Sequence, residues 1–389
     1  MKQISQATVA RQADRILSAS WGDWALERFP RRPRELLRAW DAADEFVLQH
    51  LQALPPVMSR VLIANDSFGA LSVALSALQP LNWSDSWLAH QGMRANLVAN
   101  GINEVQVRTL PSTGSPDFSP GLVIIKVPKT LALLEDQLTR LQPLLAADSR
   151  VLVAGMAKGM STAVWQLLAR IIGPTQTEPA RKKAQLIKVT VDSNLPATLN
   201  PYPTHWLYEG TGLRIVNHAN VFSSQRLDIG TRFMLQHLQI DSRHKDIVDL
   251  GCGNGILGVT AGARFTDARV HFVDESYMAI ESARQNFAQL NSLLPRAHFH
   301  LADGLSDFPS ATVDLILCNP PFHENHAVGD SVALSMFQGA ARALRAQGEL
   351  WVVGNRHLGY HVKLKRWFSR VELVASNSKF VLFKASKNR

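Results

Sequence analysis

Asn319-Pro-Pro-Phe322 closes the apolar run Asp314-Leu-Ile-Leu-Cys318 and carries the residue types best suited to chemistry on an amine. An exocyclic amine is a poor nucleophile because its lone pair is delocalised into the ring. If the Asn319 carboxamide oxygen and the Pro320 carbonyl each accept one N–H, the nitrogen is drawn towards sp³ and its lone pair is aimed. No strong base is then needed, since orientation and fixed dipoles supply the rate. Pro320 and Pro321 stiffen the backbone that carries these acceptors. The Phe322 ring can stack on an extruded base. The plainer alternative is a Pro-Pro turn that ends a strand, followed by a core Phe.

A second segment, Asp246-Ile-Val-Asp-Leu250, runs into Gly251-Cys-Gly-Asn-Gly255 and then an apolar helix from Ile256. Glycines let a ligand approach the backbone, and the helix N-terminus offers free N–H groups. Alone, Gly-x-Gly-x-Gly could equally cradle a dinucleotide or make a tight turn. Asp249 tilts the choice: it would repel a diphosphate, but it could serve the ammonium of an aminoacyl cofactor. Asp274 ends the next strand, where an acid accepts hydrogen bonds from ribose hydroxyls, or caps the helix from Met278. Asp303 stands where an adenine amino group could donate to it, or in an Asp-Gly turn. The candidate cofactor residues are therefore Asp249, Gly251, Gly253, Gly255, Asp274 and Asp303.

Strands must hold these segments at one edge of a sheet. Apolar runs 246–250, 270–273, 298–301, 314–318 and 349–353 alternate with helical patterns 256–263, 278–290 and 333–344. The last run, Lys379-Phe-Val-Leu-Phe383, reads as an antiparallel strand. Upstream, a helix over Arg34–Leu54 precedes strands at Arg60–Ala64, Leu122–Ile125 and Val151–Ala154. Leu186–Val191 reads as an antiparallel edge strand. The alternation predicts an α/β chain with two parallel, helix-covered sheets. The proline-rich stretch from Gly173 to Gly212 connects them, giving domains 1–195 and 196–389.

The halves repeat. Ile63–Leu71 matches Asp249–Leu257, Ser86 with Arg94 and Asn96 matches Ser276 with Arg284 and Asn286, and Leu152–Gly155 matches Trp351–Gly354. Asn65 and Ser67 replace Gly251 and Gly253, Ser84 replaces Asp274, and Val127 replaces Asn319. The first copy keeps a framework without the polar atoms, so catalysis is expected only in the second.

The chain's 389 residues, 46% hydrophobic and 19% charged, suffice for two cores. A formal charge of +9 favours a polyanionic partner. Candidate phosphate contacts are Arg181-Lys-Lys183, Arg356, Lys363, Lys365 and Arg366, with a solvated basic face as the alternative. Cys252 and Cys318 cannot form a disulfide framework or a zinc site, and read as small buried residues. His323-Glu-Asn-His326 lacks a third ligand, so no metal is expected. No signal peptide or membrane span is expected, and the location expected is the cytoplasm.

Asp249–Gly255 together with Asn319–Phe322 resembles the class I amino-methyltransferases, which use S-adenosylmethionine. The duplicated layout, with Ala219–Ser223, Leu227–Phe233, Val127–Lys129 and Asn355–Leu358, is similar to the two-domain ribosomal RNA guanine-N2 methyltransferases. The resemblance implies two tandem Rossmann-like class I methyltransferase domains, the N-terminal one degenerate. It implies S-adenosylmethionine as cofactor, held by the residues named above, and an amine positioned by Asn319 to Phe322. It implies guanine N2 of 23S ribosomal RNA as target, and RNA recognition or folding support from the first domain. The rivals that share the tetrapeptide's logic are guanine N2 of small-subunit RNA, adenine N6 or a protein glutamine, and from another class an rRNA-binding assembly factor whose transferase site is vestigial. The segment Phe222–Arg232 would close over the cofactor or simply cap a helix. A monomer without membrane attachment is expected.

Overall fold

The computed structural model describes residues 15–32, 35–54, 60–223, 225–239, 241, 243–321 and 326–387. The chain separates into two compact units, Met1–Pro201 and Tyr202–Arg389, where the sequence reading divides it at 195/196.

The first unit opens with hairpin β1 (Ile16–Ala19) and β2 (Gly22–Ala25) and helix α1 (Ala42–Gln52). There follow β3 (Val61–Ala64), α2 (Ala70–Ala74), β4 (Leu81–Ser84), α3 (Trp87–Ala99), β5 (Arg108–Pro111) and β6 (Leu122–Lys126). The unit ends with α4 (Leu131–Leu141), β7 (Arg150–Met156), α5 (Thr162–Ile171), β8 (Thr175–Thr177) and β9 (Ala184–Val189). The second unit opens with hairpin β10 (Thr204–Tyr208) and β11 (Leu213–Asn217) and helix α6 (Ile229–His237). Then come β12 (Asp246–Leu250), α7 (Ile256–Arg264), β13 (Arg269–Asp274), α8 (Tyr277–Ala288), β14 (Ala297–Leu301) and β15 (Val313–Cys318). Helix α9 (His326–Ala343), β16 (Leu344–Asn355), α10 (Tyr360–Leu364), β17 (Arg370–Ser376) and β18 (Phe380–Ser386) complete it.

Each unit carries a seven-stranded sheet, in the orders β5-β4-β3-β6-β7-β9-β8 and β14-β13-β12-β15-β16-β18-β17. Counted within its sheet, each order runs 3-2-1-4-5-7-6, parallel except for the strand next to last, which is antiparallel to both of its neighbours. The central strands are almost wholly buried because helices cover both faces, so β3 and the first four residues of β6 read as unbroken apolar runs, while β12 carries the buried Asp246 and Asp249 among its apolar residues. The order reverses between β12 and β15, the place at the carboxyl edge where open α/β sheets take their ligands.

Several elements differ from the sequence reading. Helix α1 begins only at Ala42, because the Asp41 carboxylate accepts from the Ala43 and Asp44 N–H groups and Asp44 completes a capping box. The strand expected at Leu186–Val191 is β9, and it lies inside the sheet, not at the edge: β8 covers it. Likewise β18 sits between β16 and β17. β17 and β8 are half-exposed edges with no apolar run, and neither was expected.

The repeat goes deeper than the motifs. Asn286 donates to the Val216 and Asn254 carbonyls and accepts from the Val216 N–H, tying hairpin and glycine loop to α8. Asn96 does the same in the first unit, with the Glu27 and Phe68 carbonyls and the Glu27 N–H. Gly69 and Gly255 cap α2 and α7 in the left-handed region, at φ 80° and 78°. One alignment shifts by a residue. Ala64 pairs with Ile125 as Leu250 pairs with Cys318, so Lys126, not Val127, occupies the place of Asn319. Matching Pro128 to Pro320 had hidden this.

Asn286 is buried and its three bonds have no solvent substitute. Asn286→Ala should therefore cost about 2–4 kcal/mol in urea unfolding of the full chain, whereas Arg284→Ala at an exposed site of the same helix should cost under about 1 kcal/mol.

Candidate active site at the carboxyl edge of the second sheet

Strand registry brings the candidate residues together. Leu250 pairs with both Val273 and Cys318, and Asp274 pairs with Leu301. Gly251, Asp274, Asn319 and Asp303 therefore follow the ends of four adjacent strands. The loop after β12 holds Gly251, Gly253 and Gly255 at φ 68°, 53° and 78°. At Gly255 a Cβ would also lie 2.7 Å from that of Ala283, so α7 can pack against α8 only with glycine here. A Cβ on Gly253 would meet nothing within 4 Å, so the loop faces open space at that residue.

Two carboxylates hold this loop. Asp274 accepts from the Gly253 N–H at 3.0 Å through one oxygen and from the Ser276 N–H at 3.0 Å through the other. The cap of α8 is Ser276, which accepts from the Ala279 N–H, so Asp274 is not needed for capping. Asp249 is 1% exposed and accepts from the Gly258 N–H at 2.8 Å, inside the first turn of α7. Burial pushes its carboxyl up to about 8, the Gly258 bond opposes this, and the charge of Asp274 adds to it. Asp303 is partly buried, and its carbonyl accepts from the Ser306 N–H in a turn through Gly304 at φ 55°.

The carboxamide of Asn319 is fixed from one side. Its Nδ2 donates to Asp228 Oδ2 at 3.1 Å and to Thr231 Oγ1 at 2.9 Å. Its Oδ1 is buried with no hydrogen-bond partner among the described residues. Both acceptors sit in the N-terminal turn of α6, where Asp228 is the cap and also takes the Thr231 N–H. A carboxylate cannot donate, so the amide cannot turn over, and its acceptor stays on the opposite side. Leaving such an acceptor unsatisfied costs about 1–3 kcal/mol, which a fold retains where the atom has a use. Pro320 is buried and Pro321 exposed. Phe322 and the residues His323, Glu324 and Asn325 lie outside the described residues. Asp228 and Thr231 are site residues that sequence reasoning missed: their spacing signals a helix start, but not a bond to a residue 91 positions away.

In the first unit the same edge is closed on itself. Asn65, at φ 64° in the place of Gly251, donates to the Lys126 carbonyl and exchanges hydrogen bonds with Gln137. Lys126 Nζ pairs with Asp41 at 2.7 Å and Asp44 at 2.6 Å, which are the cap and third residue of α1. These correspond to Asp228 and Thr231. The clamp survives, but it grips an ammonium in place of a carboxamide NH₂, and no acceptor is left behind it.

Cys252 and Cys318 are buried free thiols, and burial pushes both well above the usual thiol range. Among the described residues no group of three His, Cys, Asp or Glu could hold a metal ion. No helix among them is long and apolar enough to cross a membrane. Arg181, Lys182, Lys183, Arg356, Lys365 and Arg366 are exposed and Lys363 is half-buried. Lys182 pairs with Glu45, and Arg181 stacks over Phe46.

The strand order, the glycine loop at the reversal point and the clamped Asn319 define a class I methyltransferase domain, preceded by a degenerate copy of itself. Residues 14–193 match the family described as RLMG N-terminal domain, and residues 212–384 match the Methyltransferase small domain. Ribosomal RNA large subunit methyltransferase G of Streptomyces avermitilis is 47% identical over 95% of this chain and 99% of its own. The proteins of that name from Aeromonas hydrophila and Ectopseudomonas mendocina are each 47% identical, over 93% and 96% of this chain and 96% and 100% of theirs. The chain belongs to the ribosomal RNA large subunit methyltransferase G family. A T. thermophilus 16S rRNA guanine-N2 methyltransferase, solved with AdoMet and guanosine, shares the fold over 97% of this chain and 99% of its own, at TM-score 0.75 and 19% identity.

Neither cysteine should react with an aromatic disulfide reagent in the native protein, and both should react within seconds in denaturant. Rapid labelling of either under native conditions would show a thiol open to solvent.

Proposed function

We propose that this protein transfers a methyl group from S-adenosylmethionine to the exocyclic N2 amine of a guanine in 23S ribosomal RNA. The observation that carries the reading is the unpartnered, buried Oδ1 of Asn319, held in one orientation by Asp228 and Thr231. Large-subunit RNA is favoured by the names of relatives that are near half identical over almost the whole chain.

The residues present fit the cofactor. Gly253 leaves the backbone open to a ligand while Gly251 and Gly255 supply the left-handed turns around it, Asp249 suits its ammonium, Asp274 its ribose hydroxyls, and Asp303 its adenine amine. When bound, S-adenosylmethionine supplies an electrophilic methyl group on a sulfonium. Asn319 Oδ1 and the Pro320 carbonyl accept the two N–H bonds of the amine, so that its lone pair projects towards the glycine loop. The buried Pro320 and the clamp on Asn319 hold these acceptors before substrate arrives, so little reorganisation is left for the reaction itself. Phe322 is proposed to stack on the base. We place the protein in the cytoplasm as a monomer, and assign RNA recognition or folding support to the first unit.

Purified protein, labelled donor and each naked ribosomal RNA test the reading: label should enter 23S RNA, and label in 16S RNA or in protein would overturn it. Asn319→Ala should keep cofactor affinity within a few-fold and lose roughly a hundred- to a thousandfold in turnover. Asp274→Ala should weaken the cofactor itself. Asp249 adds a pH signature. Its folded-state carboxyl near 8 lies above the ordinary 3.8, so its stabilising contribution is complete below about pH 4 and is lost as pH rises through 8. An ammonium placed beside it favours ionisation. Calorimetry near pH 7 in buffers of different ionisation enthalpy should show up to about one proton released on cofactor binding, and none for Asp249→Asn.

A further inference from the structure

A second carboxamide at this edge has the same unusual property as Asn319. Asn355 ends β16, the strand beside β15, and its Oδ1 is also buried without a hydrogen-bond partner among the described residues. The two side chains share a face. Cys318 pairs with Val352, so Asn319 stands level with Val353, and Asn355 lies two residues further along. Alternation puts Leu317, Val353, Asn319 and Asn355 on one side. Leu317 and Val353 pack there with Phe233 and Phe380 under α6, the helix whose first turn clamps Asn319. Strand rise and spacing separate the two Cα atoms by about 8 Å. The backbone at Asn355 is also fixed. A Cβ on the preceding Gly354 would lie 2.5 Å from the buried Tyr360 ring, so Tyr360 packs directly on the chain.

The order of strands along the edge says what Asn355 faces. The glycine loop follows β12, Asn319 follows β15, and Asn355 follows β16. With the methyl donor on the β12 side of Asn319, the body of the base beyond its amine extends towards β16. Next to the N2 amine on guanine's Watson–Crick edge is N1–H, a donor. In adenine, and in 2-aminopurine, N1 is an acceptor.

We infer that Asn355 is a specificity-determining residue that accepts the N1–H of the target guanine while Asn319 holds the N2 amine. The inference rests on the guanine-N2 reading above. The first unit serves as an internal control. Gly155 occupies the place of Gly354, so Met156 occupies that of Asn355, packed against the apolar core, just as Lys126 occupies that of Asn319. The copy without the orphaned acceptor of Asn319 has lost this one too.

The probes are guanosine and 2-aminopurine riboside, which keeps the amine but presents a lone pair at N1. Both are titrated into full-length protein saturated with S-adenosylhomocysteine, and transfer to 23S RNA is measured alongside. The wild type should prefer guanosine by about tenfold or more, because an acceptor facing an acceptor leaves both unsatisfied. Asn355→Ala should bring that ratio down to within about threefold of unity, with cofactor affinity unchanged. Asn355→Met, which installs the first unit's own residue, should raise the melting temperature while abolishing the preference. A merely structural Asn355 would lower it. Equal binding of the two nucleosides by the wild type, or an undiminished preference in Asn355→Ala, overturns the inference while methylation of 23S RNA still stands. Should the wild type neither label 23S RNA nor bind guanosine, the reading beneath it fails and this inference with it.

Discussion

The site depends on a carboxamide that has been deprived of choice. An asparagine amide normally turns to suit its surroundings, because its two ends are nearly equal in size. At Asn319 a carboxylate and a hydroxyl take the Nδ2 end, and the oxygen has no partner among the described residues. That arrangement spends some stability to keep an acceptor aimed. It also explains why a helix distant in sequence is tied to the strand end: without the first turn of α6, the tetrapeptide would be only a stiff turn.

The first unit shows the same scaffold with the aim removed. Its strand order, its left-handed glycine cap and its Asn96 clamp repeat those of the second unit. Yet at its carboxyl edge Lys126, Asp41 and Asp44 satisfy one another, Asn65 joins Gln137, and Met156 is apolar. Burial pushes the Asp44 carboxyl up to about 7 while the Lys126 ammonium beside it pulls the other way. Frameworks of this kind are retained by packing, which many side chains share. Site polarity rests on a few atoms, so it is what decays first.

Much of the second domain was legible in the sequence, because parallel strands buried on both faces leave largely apolar runs such as Asp246–Leu250 and Asp314–Cys318. The glycine loop was legible too: three left-handed backbones in five residues admit little besides glycine. The half-exposed β17 and the two hairpins left no such trace. The repeat was visible, but its register slipped by one at Val127, since a shared proline is a stronger letter-match than a hydrogen-bond ladder is.

By itself, then, the sequence determined the two-domain α/β plan, the strand that ends in Asn319-Pro-Pro and the acids that follow its neighbours, all of which are local patterns within a few residues. Only the tertiary structure decided which atoms remain unpaired. Asp228 and Thr231 reach Asn319 across about ninety residues, and Asn355 joins it through a strand pairing. A free acceptor is a property of everything packed around it, and no stretch of the chain can show that alone.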